Sequence, residues 1–349
     1  MLHSLSSARE STKDNKRRKE NKESMKDERR FRAVPLVAAA AFNFIVIVLV
    51  LWFVFTPRDL SDGNLESRLR VGLSFSSLRD SYLLELEQDL RGEIEERGDV
   101  AFVTDAQGDA ARQLEQLENL FEQSVDVVLL NPAEVESQGA MLEVCRENGV
   151  PVIIVEGDGE AGEAAEHAVR SNDYDAGVQL GAFLQTELDG GQVLLLGIEG
   201  NLHSERRIEG FMSVMDQSED WEVAATLDTH GLMEDAMEQV EKAMEAGTSF
   251  NVIMTATDTL AAGALAALRH NHKESLIRIV SVEGSPEGQG LVKAGKILAT
   301  TALYPSLVSR YTLEYLYGES AYPDQYERVV PVSLVSNYNI GSFDTDSWE

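Results

Sequence analysis

Short apolar runs alternate with amphipathic windows along most of the chain after residue 68. Residues Ala176, Leu180, Phe183 and Leu184 fall on one face at a 3.6-residue period, which predicts a helix between two strands. This alternation predicts an α/β fold with right-handed crossovers and parallel sheets covered by helices on both faces. About nine strand-like runs are present, at residues 69–75, 100–104, 125–130, 152–155, 193–196, 222–226, 252–255, 277–282 and 297–302. An interruption near 158–171 favours two sheets over one.

Polar residues stop several of these strands abruptly. Asn131 ends one run and Thr257-Asp258 ends a similar run in the second half, while Glu156-Gly157 is echoed by Glu283-Gly284. In open parallel sheets, ligands bind beyond the carboxyl ends of the strands. Two such edges that face each other would surround a small polar molecule, so we expect the carboxylates of both halves to converge.

A separate apolar segment precedes the alternating region. Residues 33–55 contain no charged side chain, and at ~1.5 Å per residue a helix of this length matches a ~30 Å hydrocarbon layer. We interpret it as a transmembrane helix, followed by a polar linker at 56–67. A cleaved signal peptide is the alternative, but its shorter apolar region would be followed by small residues, whereas this run ends in Trp52-Phe53-Val54-Phe55.

Charge is distributed very unevenly along the chain. Residues 1–32 contain eleven Lys or Arg and six Asp or Glu, which predicts a disordered basic tail on the cytoplasmic side of the membrane. The remainder carries 19 basic and 54 acidic residues, out of totals of 30 and 60. So acidic a surface repels polyanions, and nucleic acid is not expected as a partner. The location predicted for the main body is extracytoplasmic, on a single-pass cell-membrane anchor.

The sequence offers few candidates for catalysis or metal binding. Cys145 is the only cysteine and lies in a helix-patterned stretch, so an inert buried thiol is expected. Residues 157–162 fit a dinucleotide-binding glycine pattern, but acidic side chains would lie beside the pyrophosphate. His270 and His272 lack a clear third ligand. We therefore predict no enzyme activity, no cofactor and no metal.

Eight short motifs in consistent order resemble those of a known family. Over residues 69–340 the chain resembles the type I periplasmic binding proteins, in the branch that includes ribose-binding and other sugar-binding proteins and the ligand domains of lactose-repressor-like regulators. The motifs are SSLRDSY at 76–82, VLLNP at 128–132, VPVIIVE at 150–156, SND at 171–173, RIEGF at 207–211, TD at 257–258 before AAGAL at 261–265, VEGSPEG at 282–288 and AT at 299–300.

The resemblance implies two Rossmann-like lobes with parallel sheets, joined by a three-stranded hinge and closing on a ligand. The first lobe would comprise 68–170 and 304–330, and the second 171–303 and 331–345. The residues implied to line the cleft are Asp80, Tyr82, Asn131, Glu156, Glu205, Thr257, Asp258, Glu283 and Tyr304, with Leu303 as the alternative to Tyr304.

The chain departs from the family pattern at several of these positions. Sugar binders of this branch usually have Asp-Arg where this chain has Glu156-Gly157, and Arg where it has Glu205. Thr257 and Glu283 replace Asn and Asp. The cleft is therefore expected to be unusually acidic, with Arg206 as a compensating charge. Local roles compete with ligand binding: the Glu-Gly pairs as solvated turns, Asn131 and Thr257-Asp258 as helix caps, and Tyr82 as a core residue.

Two ligand classes remain open on these grounds. Carboxylates make charge-assisted hydrogen bonds to paired hydroxyls, which favours a neutral sugar. Several carboxylates without a guanidinium repel one another unless a cation balances them, which favours an amino sugar or another cationic molecule. An exposed Glu205 would weaken the second interpretation.

Two outputs also remain open for such a binding protein. The closed form would deliver its ligand to an ABC permease, or dock on the ectodomain of a sensor histidine kinase. A DNA-binding regulator is disfavoured because residues 1–55 offer no helix-turn-helix.

Overall fold

Twelve strands in two separate sheets are found in the part of the chain that the structure describes. This computed structural model describes residues 68–157 and 165–348. The expected basic tail, transmembrane helix and linker lie outside these residues, as does most of the 157–162 glycine pattern. Among the described residues, no helix combines the length and apolar character needed to cross a membrane.

The first sheet has the strand order β11-β5-β4-β3-β1-β2, and all of its pairs are parallel. β3 and β4 are completely buried runs of Val, Leu and Ile, as expected for strands covered on both faces. The strands are β1 Arg70–Phe75, β2 Val100–Asp105, β3 Val127–Leu130, β4 Val152–Val155, β5 His167–Ser171 and β11 Glu327–Val330.

The second sheet has the order β12-β10-β9-β8-β6-β7, parallel except for the antiparallel pair β10–β12. Its strands are β6 Gly191–Gly197, β7 Trp221–Asp228, β8 Val252–Thr255, β9 Arg278–Glu283, β10 Ala299–Ala302 and β12 Ser333–Ser336. The predicted α/β class with two parallel-sheet lobes is confirmed. Three strands missing from the sequence prediction, β5, β11 and β12, complete the sheets.

Nine α-helices are described, and most begin at a side chain that caps the free backbone N–H groups. Asp80, Asp109, Asn172, Asn201 and Thr257 all accept such hydrogen bonds. The helices are α1 Ser81–Glu96, α2 Ala110–Glu122, α3 Val135–Glu147, α4 Asp173–Glu187, α5 Leu202–Met215, α6 Met233–Glu245, α7 Asp258–His270, α8 Pro286–Lys293 and α9 Pro305–Leu316.

We call each sheet with its packed helices a lobe. Helices α1, α2, α3 and α9 pack on the first sheet, and α4 to α8 on the second. The chain passes between the sheets three times: from β5 into α4, from β10 into α9, and from β11 into β12. These crossings place Ser171 and Asp173 at the junction of the lobes, beside the carboxyl ends of the parallel strands.

Candidate functional site

The carboxylate of Glu156 lies buried at the end of β4 and is held by two residues of the first lobe, Tyr82 of α1 and Ser171 of β5. Its Oε1 atom accepts hydrogen bonds from the Tyr82 hydroxyl and, at 2.7 Å, from Ser171 Oγ. Its Oε2 atom accepts from the Ser171 backbone N–H at 2.9 Å. Burial, followed by the negative charge of Glu156, raises the pKa of the Tyr82 phenol well above its usual range. Three donors therefore satisfy this carboxylate before any ligand arrives.

His203, in the first turn of α5, connects the second lobe to the first. Its Nε2 atom lies 2.9 Å from the backbone oxygen of Glu156, and its Nδ1 atom lies 2.7 Å from Oδ2 of Asp173. A carbonyl and an ionised carboxylate can only accept, so both ring nitrogens must carry hydrogen. Burial lowers the pKa of His203, but the charge of Asp173 and its hydrogen bond outweigh that and raise it overall. His203 is therefore an imidazolium that bridges the lobes.

Asp173 is shared between His203 and a buried guanidinium. Nε of Arg207 lies 2.7 Å from Asp173 Oδ1, and its Nη1 donates to the Ala256 backbone oxygen at 2.9 Å. Burial raises the pKa of Asp173, but the charges of Arg207 and His203 lower it by more, and the result is a pKa of about 2. Asp173 is thus a fixed anion between two cations.

Glu283 continues this chain of charges at the end of β9. Its Oε1 atom lies 3.5 Å from Nη1 of Arg207, and its Oε2 atom accepts from the Asp258 backbone N–H at 3.3 Å. Burial, then the nearby Asp80, raises the pKa of Glu283 well above its usual range, with Arg207 opposing. Asp80 belongs to the first lobe and is exposed, while Glu283 is buried in the second. Carboxylates of opposite lobes therefore converge around Arg207.

The backbone explains why two strands end in Glu-Gly. Glu156 and Glu283 both have positive φ, 49° and 118°, a region that is strained for residues with a side chain. A Cβ on Gly157 would lie 2.6 Å from Cγ2 of Ile154, and one on Gly284 would lie 2.4 Å from the Cα of Ala302. Each strand therefore turns sharply to direct its carboxylate inward, and the next residue has no room for a side chain.

Close helix packing fixes the position of the two cations. α4 and α5 touch through glycines: a Cβ on Gly177 would lie 1.9 Å from the backbone oxygen of Arg207, and one on Gly210 would lie 1.9 Å from that of Tyr174. His203 and Arg207 are four residues apart on α5, so both face the same way, towards Asp173 at the start of α4.

Two further predicted site residues are engaged within one lobe. Asn131 accepts from Ser76 Oγ at 2.6 Å and donates to the Glu156 backbone oxygen at 3.0 Å. Asp258 accepts from Ser285 Oγ and Thr300 Oγ1, each at 2.8 Å. Asn131 ties strand ends together, and Asp258 organises the loop that follows Glu283.

The remaining predicted site residues take different positions. Thr257 is buried and caps α7 by accepting from Leu260 N at 3.2 Å. Tyr304 is half-buried just before α9 and packs on the core that spans the hinge. Glu205 is exposed on α5. A guanidinium, that of Arg207, lies beside Glu283.

The only candidate metal-binding group found in the described part of the chain is made of Glu156, Asp173 and His203, whose ligand atoms lie within 4.8 Å of one another. Each of these atoms is already engaged: the Glu156 carboxylate by Tyr82 and Ser171, and the His203 ring by two acceptors. A metal would have to replace these protons, so the arrangement fits a hydrogen-bonded network better.

A family model described as a periplasmic binding protein domain matches residues 71–319 of this chain. The chain belongs to this family. Periplasmic binding proteins of this kind are substrate-binding proteins and not enzymes, in agreement with the prediction made from the sequence.

The sequences of individual relatives align with most of this periplasmic binding protein. The chain is 26% identical over 262 residues to the ribose import binding protein of Bacillus subtilis (strain 168), covering 74% of this chain and 83% of the relative. The ribose import binding protein of Haemophilus influenzae is 27% identical over 240 residues, with coverage of 68% and 81%.

Solved structures share the two-lobe fold. A solute-binding protein from Bacillus halodurans C-125 with bound myo-inositol superposes with a TM-score of 0.73 at 21% identity, covering 79% of this chain and 96% of that one. The fructose-binding periplasmic domain of a hybrid two-component system gives a TM-score of 0.72 at 20% identity, with coverage of 79% and 93%.

Four residues of the network in this periplasmic binding protein were absent from the predicted site: Ser171, Asp173, His203 and Arg207. Three of them lay in motifs that carry the family resemblance, SND at 171–173 and RIEGF at 207–211. The helical spacing of His203 and Arg207, opposite an aspartate at a helix start, was a signal that could have found the set.

Proposed function

We propose that this chain is an extracytoplasmic binding protein whose lobes close on a neutral sugar or sugar alcohol, for delivery to an ABC importer. Proteins similar to this chain include import binding proteins for ribose and for D-apiose. Solved structures of the same fold hold myo-inositol and D-allose. These are small polyhydroxylated molecules of similar size.

The observation that carries this proposal is the meeting of Asp80 with Arg207 and Glu283 at the junction of the lobes. Burial lowers the pKa of Arg207, but Asp173 and Glu283 raise it overall, and burial raises the pKa of Glu283. The charge of Asp80 raises both pKa values further, so Asp80 lies near both groups. A hydroxyl can donate to a carboxylate and accept from a guanidinium, so a polyol placed here contacts both lobes at once. Only a ligand with such differential contacts stabilises the closed form.

The state of the other carboxylates favours a neutral ligand over a cationic one. Glu156 is satisfied by Tyr82 and Ser171, and Asp173 is balanced by His203 and Arg207. Glu205, which would have added charge to the cleft, is exposed on α5. Asp80 and Glu283 share the guanidinium of Arg207 with Asp173, so the carboxylates of the cleft are not left without a guanidinium.

Thermal unfolding of the purified full-length protein tests the proposal. The protein is kept in a detergent without a sugar headgroup and screened against D-ribose, myo-inositol and D-allose, with glucosamine and spermidine as cationic alternatives. A ligand present at one hundred times its Kd raises Tm by roughly 5–10 °C through mass action. Stabilisation by the amines alone would contradict a neutral ligand.

Variants locate the site. Asp80→Asn keeps a good helix cap on α1 while removing the carboxylate. Glu283→Gln removes the corresponding carboxyl group from the second lobe. Both are expected to abolish the Tm rise. The control is Asp109→Asn, which alters the cap of the neighbouring helix α2. A Tm rise retained in both cleft variants would show that ligands bind elsewhere.

We also propose that residues 33–55 anchor this protein in the cell membrane, with residues 1–32 in the cytoplasm. Their uncharged apolar sequence and the preceding basic cluster support this orientation. Protease added to intact spheroplasts should digest the binding domain and leave the amino-terminal tail protected. Protection of the binding domain would contradict the orientation.

A further inference from the structure

The segment that follows β12 returns to the junction of the lobes. β12 runs antiparallel to β10, so it leads away from the edge where Glu283 lies. Asn339 then reverses the chain, because its side chain accepts from Ser336 N at 2.8 Å and donates to Leu334 O at 2.7 Å. A 3-10 turn, Ile340–Ser342, follows. We call the next residues, 343–348, the strap.

The strap is fixed to the second lobe at its start. Ile340 packs on the hydrophobic core of that lobe beside α8. Thr345 Oγ1 lies 3.0 Å from Nζ of Lys293, at the end of α8. Asp344 caps a local turn by accepting from Ser347 Oγ at 3.1 Å. The strap is thus a defined structure attached to one lobe.

The far end of the strap contacts the other lobe. The ring of Trp348 packs edge-on against the ring of Tyr82, with centroids 5.7 Å apart and planes at 74°. Tyr82 is in the first turn of α1, two residues after Asp80, and its hydroxyl is bonded to Glu156. With Trp348 in place, Tyr82 is only 4% exposed. Its ring is therefore not available to stack on a ligand.

We propose that the strap competes with the ligand: in the ligand-free protein it holds the two lobes together through Trp348 on Tyr82, and a sugar that stacks on Tyr82 displaces it. The first half of this proposal stands on the contacts alone, and the second half rests on the proposed function. Aromatic rings bind the apolar faces of other rings, and Trp348 already packs on the ring of Tyr82 that a ligand ring would need. Displacement then couples ligand binding to release of the first lobe from the strap.

Distance measurements between the lobes test the first half without any ligand. Nitroxide labels are placed on Glu118→Cys of α2 and Glu245→Cys of α6, both exposed positions. Cys145 can remain, because it is fully buried and burial raises the pKa of its thiol to about 12. In electron–electron resonance, Trp348→Ala is expected to broaden the distance distribution towards longer separations. An unchanged distribution would overturn the strap as a connection between the lobes.

Affinity measurements test the second half, with D-ribose as the probe. Removing the competitor in Trp348→Ala should tighten binding roughly 2- to 10-fold, the range expected for loss of one aromatic pair. The matched control is Tyr338→Ala, which removes a 72% exposed aromatic from the same segment before the strap begins. It should leave both the distances and the affinity unchanged.

The outcomes separate this inference from the proposed function. Unchanged or weaker ribose binding in Trp348→Ala overturns displacement while leaving sugar binding intact. If neither wild type nor Trp348→Ala binds D-ribose, myo-inositol or D-allose, the proposed function fails, and displacement of the strap by a sugar fails with it. The distances between the labels then decide alone whether the strap joins the lobes.

Discussion

Nε2 of His203 lies 2.9 Å from the backbone oxygen of Glu156, so an imidazolium of the second lobe donates a hydrogen bond to the first. The acceptor is a carbonyl that no side-chain substitution can remove. The contact therefore depends on the protonation of His203 and on the position of α5. Both can be varied by experiment.

Replacing His203 by Gln should change how stability depends on pH. Gln keeps a donor for Glu156 but carries no charge for Asp173. Because the folded-state pKa of His203 is raised above its ordinary value of 6.5, its stabilisation is complete below about that pH and is lost as pH rises through the folded-state pKa. Urea unfolding from pH 5 to 9 should show that the free energy of unfolding of wild type exceeds that of the variant by the largest amount at the acidic end.

The groups that face His203 are Asp173, Glu156 and Arg207. The pKa of Asp173 is lowered to about 2 and the pKa of Arg207 is raised, so neither of these two titrates in place of His203 at neutral pH. The control is His270→Gln, since His270 is an exposed residue bonded to Glu241. A constant difference between wild type and His203→Gln over the whole pH range would show that the pKa of His203 is not raised in the folded protein.

Asp173→Asn should be strongly destabilising. The substitution leaves Arg207 buried without its principal counter-charge, a change that typically costs about 3–5 kcal/mol. Glu143→Gln is the control, because it breaks an exposed Glu–Arg pair with Arg146 and should leave the free energy of unfolding unaltered within error. Equal effects of the two substitutions would mean that the buried network contributes nothing.

Gly177→Ala should separate α4 from α5. The new methyl group would lie 1.9 Å from the backbone oxygen of Arg207, so α5 must move and carry His203 away from Glu156. Gly92→Ala, in the middle of α1, meets no atom within 4 Å and should stabilise by ~0.5–1 kcal/mol. Hydrogen exchange of α5, compared in the two variants, distinguishes a local shift from a general loss of stability.

Glu283→Gln should remove a pH-dependent loss of stability. The folded-state pKa of Glu283 is raised well above 4.5. Protonated Glu283 therefore contributes its full stabilisation below about pH 4.5, and this stabilisation is lost as pH rises through the folded-state pKa. Gln cannot ionise, and the variant should gain on wild type as pH rises from 4 to 8 in chemical unfolding. Glu287→Gln, at an exposed position on α8, is the control and should show no such trend.

The fold was largely predictable because burial leaves a strong periodic signal. β4 and β8 are wholly buried, and all of their residues except Thr255 are apolar; both were predicted with their observed bounds. β5 reads His-Ala-Val-Arg-Ser and β11 reads Glu-Arg-Val-Val, so neither has enough apolar residues to be recognised alone. They become strands because a neighbouring strand supplies hydrogen bonds, and that information is not local.

For the candidate site, the sequence predicted two carboxylates at strand ends but not the contacts that they make. Glu156 and Glu283 were expected at strand ends that face each other, and both are buried where the lobes meet. The partners of Glu156 depend on tertiary structure: the Tyr82 hydroxyl comes from 74 residues away. The roles of Asp173 and Arg207 likewise emerge only when α4 and α5 pack together.

The crowding at Gly157 limits how the ligand preference of this protein can evolve. A single nucleotide change converts a glycine codon to an arginine codon, and arginine is what sugar binders of the family usually carry at this position. A Cβ here would already lie 2.6 Å from Ile154, 2.9 Å from Gln138 and 3.0 Å from Pro132. The genetic path to a basic side chain is short, but its steric barrier is high.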